Sequence, residues 1–251
     1  MPVEANVQTR MSSEAAVREG IERAYCAFGG NARPQSLAAS PLRDRGQLEG
    51  LISRPLRQLA GEIVGPYAGW AMTTVGSAQA YRYFLPRILE LAVCGGGWVG
   101  TDPPVIAQKL LLAEWTMWSA PEREAVIALF DAAFRWTVQR HIDFTDEAPL
   151  WLCGLALLQQ PVTALLADWR QASSAAANLQ LVQFFLSAEA DLQCGRLRDA
   201  WWENVPEAAA AEIAAWLVHG DTKAQIMAWR NRVSADDRWM FDSALCFWPA
   251  P

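Results

Sequence analysis

The feature that most constrains this chain is its helix punctuation. Signals for the start of a helix recur roughly every 15 to 25 residues. Ser119-Ala-Pro-Glu122 has the spacing of a capping box, in which the serine and the glutamate each satisfy a backbone N–H that the first turn leaves without a partner. Thr101-Asp-Pro103, Asn204-Val-Pro-Glu207, Asp221 and Ser234-Ala-Asp-Asp237 open further helical patterns. Sustained alternation of apolar and polar residues closed by Asn-Gly or Asp-Gly turns, the mark of hairpins, does not occur. The expectation is an all-α protein, an irregular multi-helix bundle or solenoid-like stack of about ten short helices. We expect a single domain over residues 1–251, with the first ten or so and the polar stretch 31–45 as mobile segments.

Periodicity locates the elements. "SSEAAVREGIERAYCAF" predicts a first helix stopped by Gly29-Gly30. Leu51, Leu56, Leu59 and Ile63 fit one or two short helices, with a break at Gly65-Pro66. In "AYRYFLPRILELAV", Pro86 disfavours helical geometry at Leu85, so a break is expected there, with a second helix through Val93. Ile106, Leu110, Ala113 and Met117 form one stripe, and Leu111, Leu112, Trp115 and Trp118 complete an apolar circumference, predicting a central helix. Ile127, Phe130, Phe134 and Val138 share the next stripe. Further helices are expected over Glu147–Leu158, Val162–Gln171, Ala175–Leu192 and Leu197–Glu203, and after the last three start signals.

Composition excludes several classes. Twenty-seven acidic against 21 basic side chains give a net charge of −6, which repels a phosphate backbone, so no nucleic acid is expected. The longest apolar run, "APLWLCGLALL", is about half of the ~20 residues that span a bilayer, so no membrane is expected either. Five widely spaced cysteines without a C-x-x-C pair, and an N-terminus without an apolar h-region, predict reduced thiols in a cytoplasmic protein.

The segments "SRPLRQLAGEIVGPYAGWAMTTVGSAQAYRYFLPRILELA" and "AQKLLLAEWTMWSAPEREAVIALFDAAFRW" carry three ordered motifs, PLR-x-L, FLPR-x-LEL and KL-x-x-A-x-W with EREA. In these, between Ser53 and Trp136, the chain resembles a family of bacterial helical proteins with no established activity. Members often carry a cysteine-rich stretch before PLR, and this chain has none in "QSLAASPLRDRGQL". The resemblance therefore implies no metal role here. Small acidic helical proteins of this kind are similar to immunity or adaptor proteins that neutralise or link a partner.

Enzyme signatures are missing: there is no G-x-S-x-G, H-E-x-x-H, Walker loop or G-x-G-x-x-G. "CGGGWVG" follows a helix instead of a strand and is expected to be a cap and loop, not a phosphate cradle. His141 and His219 both close predicted helices, where an imidazole complements the dipole. No catalytic residue, metal or cofactor is assigned, and an enzyme is the less favoured expectation. Binding of a protein partner, a basic one, is the favoured reading. Asp143, Asp146 and Glu147 form an acidic loop before a helix. Trp201-Trp202-Glu203 places two indoles ~100° apart on a helix, so that one faces a groove or solvent as an anchor. The alternative is a small-ligand pocket built from Tyr81, Arg82, Tyr83 and Arg87, whose hydroxyls and guanidinium groups sit close in sequence.

Overall fold

The computed structural model describes residues 2–94, 97–145 and 147–249, with side chains from residue 12 onward. Among the described residues the fold is all-α. Twelve helices follow one another: α1 Pro2–Ala27, α2 Arg45–Ser53, α3 Gly61–Trp70, α4 Ala78–Cys94, α5 Pro103–Leu112, α6 Ala120–Val138, α7 Ala148–Leu157, α8 Thr163–Gln171, α9 Ala175–Leu192, α10 Glu207–Leu217, α11 Gly220–Trp229 and α12 Arg238–Cys246. Two 3-10 turns, Leu56–Gln58 and Trp115–Met117, and two isolated β-bridges complete the described structure. No helix among the described residues is long and apolar enough to cross a membrane.

The chain divides into two compact units, Ala15–Ala133 and Met1–Glu14 with Phe134–Pro251. In the Ala15–Ala133 unit, α3 packs against α2, α4 and α5. Val64, Tyr67, Phe84, Leu85, Ile88, Leu89, Ile106 and Leu110 are buried there. Proline breaks neither α3 nor α4, contrary to the expectation at Gly65-Pro66 and at Pro86: both prolines lie inside their helices. An interior proline costs about 3 kcal/mol, whereas burying each large apolar side chain returns about 1.5–3 kcal/mol. With Phe84, Leu85, Ile88 and Leu89 all at 0% exposure on either side of Pro86, packing wins.

Glycine explains the contact between α3 and the loop after α4. A methyl group on Gly61 would overlap the Trp98 indole at 2.2 Å, and one on Gly65 would meet the Val99 carbonyl oxygen at 2.7 Å. Gly100, at φ +87°, lies with its Cα side against Gly65 and Gly69. The glycines of α3 and Gly100 thus let residues 98–100 lie on the helix, while Gly95 and Gly96 of the expected cap lie outside the described residues. The stretch 36–44 is irregular, with backbone bonds from Ser40 N–H to the Thr74 carbonyl (3.0 Å) and from Gly76 N–H to the Ala38 carbonyl (2.7 Å).

α5 is shorter than its stripe predicts. It ends at Leu112, Glu114 turns left-handed at φ +50°, and Leu112 and Met117 are exposed instead of central. The glutamate half of the capping box forms, with the Ser119 N–H donating to the Glu122 carboxylate at 3.1 Å, while the Ser119 hydroxyl donates to the same carboxylate at 2.8 Å.

In the other unit, α9 packs against α11 and α12, which pack on each other. Its core is aromatic. Trp169 is edge-on to Phe134 at 5.5 Å, parallel to Phe184 at 6.2 Å and 5.5 Å from Trp216, and Trp202 stacks on Phe184 at 5.8 Å. The helix expected over Leu197–Glu203 is a run of turns. Aspartates compete there with helical bonding: Asp191 accepts from the N–H of Arg198 and Asp199, and Asp199 accepts from the N–H of Trp201 and Trp202.

Candidate functional site

α6 ends at Val138, and the chain needs nine residues before α7 begins at Ala148. Such a connection exposes polar backbone, so something must hold it. The side chain that does so is Gln180 on α9, which is fully buried. Its amide nitrogen donates to the carbonyl oxygens of Arg140, at 3.1 Å, and of Thr145. Beside it Gln139 accepts a hydrogen bond from the hydroxyl of Ser174, at 3.0 Å, while Ser174 caps α9. A turn with the Phe144 N–H bonded to the His141 carbonyl at 3.0 Å closes the tip.

The tip presents an acidic and an aromatic group together. The Asp143 side chain is 80% exposed and Phe144 is 71% exposed. Phe144 is steadied by Arg140, whose guanidinium lies 4.3 Å over the Trp136 ring and 5.9 Å from the Phe144 ring. His141 links this tip to the start of α12. Its Nδ1 accepts from the Asp143 N–H at 3.3 Å, and its Nε2 lies 3.6 Å from Asp237. Asp237 in turn accepts from the Ser234 hydroxyl at 2.6 Å. Two residues further on, Trp239 is 62% exposed on the face of α12 opposite the buried Met240, Phe241 and Ala244.

Asp143, Glu147, Asp236 and Asp237 therefore face solvent or its edge in two stretches that His141 ties together, against Arg140 and Arg238. Asp146 lies outside the described residues. Glu147 sits at the N-cap position of α7, half-buried. The arrangement can hold a cationic group at its carboxylates while an apolar group covers an exposed ring.

The tryptophan pair is placed differently. Trp202 is buried against Phe184, and Trp201 is half-buried with its carbonyl accepting from the Cys153 thiol at 3.1 Å. Burial raises the Cys153 thiol well above the usual range and so disfavours its thiolate. Glu203 is exposed.

The four residues Tyr81, Arg82, Tyr83 and Arg87 go to separate places. Tyr81 is fully buried and its hydroxyl has no hydrogen-bond partner. Arg82 makes two bonds to Glu122, at 2.8 and 2.7 Å, and lies 5.0 Å over the Trp118 ring. Tyr83 stands edge-on to Phe84 at 5.0 Å. Arg87 donates to the Leu59 carbonyl and to Glu90, both at 2.8 Å, and Glu90 also accepts from Tyr25 at 2.6 Å. Both guanidinium groups are thus engaged by carboxylates of the same unit.

Sequence reasoning passed over Gln180, Trp239 and Lys109. A lone glutamine in the apolar run "NLQLVQFFL" signals a buried amide that needs backbone partners. Lys109 is 6% exposed and donates to the Ala71 carbonyl at 2.9 Å, which places a cation at the C-terminal end of α3. Burial lowers its pKa from the usual lysine range. The histidines also differ from expectation: His219 begins α11, its Nδ1 accepting from the Asp221 N–H at 3.2 Å.

Among the described residues no group of three or more His, Cys, Asp or Glu side chains is arranged to hold a metal ion. Comparison with protein-family models, curated proteins and solved structures returns no match to the chain. The segment that carries the family resemblance, Ser53 to Trp136, falls almost wholly in the Ala15–Ala133 unit.

Proposed function

We propose that this chain is a protein-binding protein whose 141–145 turn and the start of α12 form the face that receives a basic segment of a partner. The observation that carries the reading is the exposure of Phe144 (71%) and Trp239 (62%) beside Asp143 and Asp236, on a loop whose ends are bonded to the buried Gln180. A held loop loses little conformational freedom on binding, and exposed aromatic rings are the common anchors of interfaces. Surrounding carboxylates favour a cationic partner by attraction at long range and by charge-assisted hydrogen bonds at contact.

Site-specific photo-crosslinking tests this. A photoreactive phenylalanine analogue replaces Phe144 in one form of the protein and Met117, exposed in the other unit, in a second. In lysate of the source cells, the expected result is one protein crosslinked through position 144, not through 117, and lost when Asp143 and Asp236 are changed to lysine. Equal labelling from both positions, or labelling indifferent to the charge reversal, contradicts the reading.

A further inference from the structure

A second surface, in the Ala15–Ala133 unit, has the makings of a small-molecule site. A cleft of about 450 Å³ opens between the irregular stretch 36–43 and α2, lined among others by Leu37, Arg43, Arg45, Leu48, Glu49 and Ile52. That volume lies within the ~300–1,000 Å³ of small-ligand sites.

Both walls are held by hydrogen bonds. The 36–43 wall is tied to residues 74 and 76 by the Ser40 and Gly76 backbone bonds, and Arg43 donates from Nε to the Thr74 hydroxyl at 3.1 Å while covering the Trp70 ring at 3.9 Å. On the other side Arg33 donates to the carbonyls of Ile52 and, at 3.0 Å, of Arg54. Asp44, the nearest carboxylate in sequence, is committed to the Gly46 N–H at 2.8 Å as the cap of α2. Arg45 and Glu49, four residues apart on α2, form no bond to each other, and among the described residues neither has an ion-pair partner. The cleft thus has an apolar floor from Leu37, Leu48 and Ile52, two guanidinium groups and one carboxylate.

The geometry points to this cleft as a binding site for a monocarboxylate with an apolar body, its carboxylate between Arg43 and Arg45 and its chain on Leu37, Leu48 and Ile52. Arg43 and Arg45 supply the cationic end, and Glu49, with Asp44 between the two arginines in sequence, disfavours a dianion.

Calorimetry on the full chain with octanoate, 1-octanol and acetate tests the proposal, with backbone NMR to locate the site. Octanoate is expected to saturate one site per chain and to shift the amide resonances of residues 36–52. Octanol lacks the charge and acetate the apolar body, so each is expected to bind about tenfold or more weakly. Arg45→Glu is expected to weaken octanoate by about tenfold or more, the loss of a charge-assisted hydrogen bond with repulsion added. Ala39→Trp, which fills the exposed mouth, gives the same result without touching a charge. Circular dichroism confirms that each variant is folded, and if one is not, the other decides. Equal affinity for octanoate and octanol, equal affinity of wild type and folded Arg45→Glu for octanoate, or no saturation at millimolar octanoate overturns the assignment.

Discussion

The buried side-chain amide of Gln180 donates 3.1 Å to the backbone carbonyl of Arg140, and the same nitrogen reaches the carbonyl of Thr145. One side chain thereby closes the base of the loop that carries Asp143 and Phe144. Gln180→Leu keeps the volume and removes both bonds. The expected loss is about 1–3 kcal/mol in urea unfolding, since two carbonyl groups lose a buried partner. Hydrogen exchange should accelerate at residues 143–145 before it does in α9. Unchanged exchange in the loop would show that Gln180 does not hold it.

Glu122 couples the stability of the Ala15–Ala133 unit to acid pH. Burial raises its pKa, but hydrogen bonds from Arg82, Asn31 and Ser119 outweigh this and hold the carboxyl below its ordinary value of 4.5. Because the folded-state value is the lower one, the contribution is complete above the unfolded value and disappears as pH falls through the folded one. Glu122→Gln should cost about 2–3 kcal/mol at neutral pH, because Arg82 then loses its counter-charge. Below pH ~4 the gap between variant and wild type should narrow. Denaturant melts across that range check the sign, and a constant gap is the contrary outcome.

Gly65 and Gly220 make opposite predictions for the same substitution. Gly65→Ala drives a methyl group to within 2.7 Å of the Val99 carbonyl oxygen, backbone that cannot swing away, and should destabilise by about 1–3 kcal/mol. Gly220, the first residue of α11, has no atom within 4 Å of where an added methyl group would sit, so Gly220→Ala should be neutral or stabilise by up to about 1 kcal/mol. Thermal unfolding of the pair separates a packing requirement from the general cost of losing glycine.

Thiol labelling reports on the aromatic unit. Cys26, Cys94, Cys194 and Cys246 are exposed, whereas Cys153 is buried and donates to the Trp201 carbonyl. Four thiols should react with a disulfide reagent in the native protein and the fifth only on unfolding. Rapid reaction at all five would mean that the turns around Trp201 open readily.

Much of this fold is legible in the sequence because it rests on local rules. Ala175–Leu192 and the helix opened by Ser119 follow from caps and apolar spacing, and both form. Readings failed where tertiary packing opposes local preference. Pro86 breaks an isolated helix, but buried residues on either side of it hold α4 together. Leu197–Glu203 has helical composition, yet Asp191 and Asp199 turn its N–H groups elsewhere. The acidic loop was visible as Asp143 and Glu147, whereas its link to Trp239 was not. That link depends on His141 meeting a residue 96 positions later, at 3.6 Å from Asp237, and no periodicity encodes such a meeting.

The decisive measurement is the affinity of one peptide for two forms of the protein. The peptide is the tightest binder from an unbiased display library selected on the wild type, and the second form carries Asp143→Lys and Asp236→Lys. The proposed face predicts a peptide rich in arginine or lysine beside an apolar anchor, bound about tenfold or more weakly by the variant and more weakly by the wild type as salt rises. A selected peptide without basic residues, or one bound equally by both forms, would contradict a basic partner at this face.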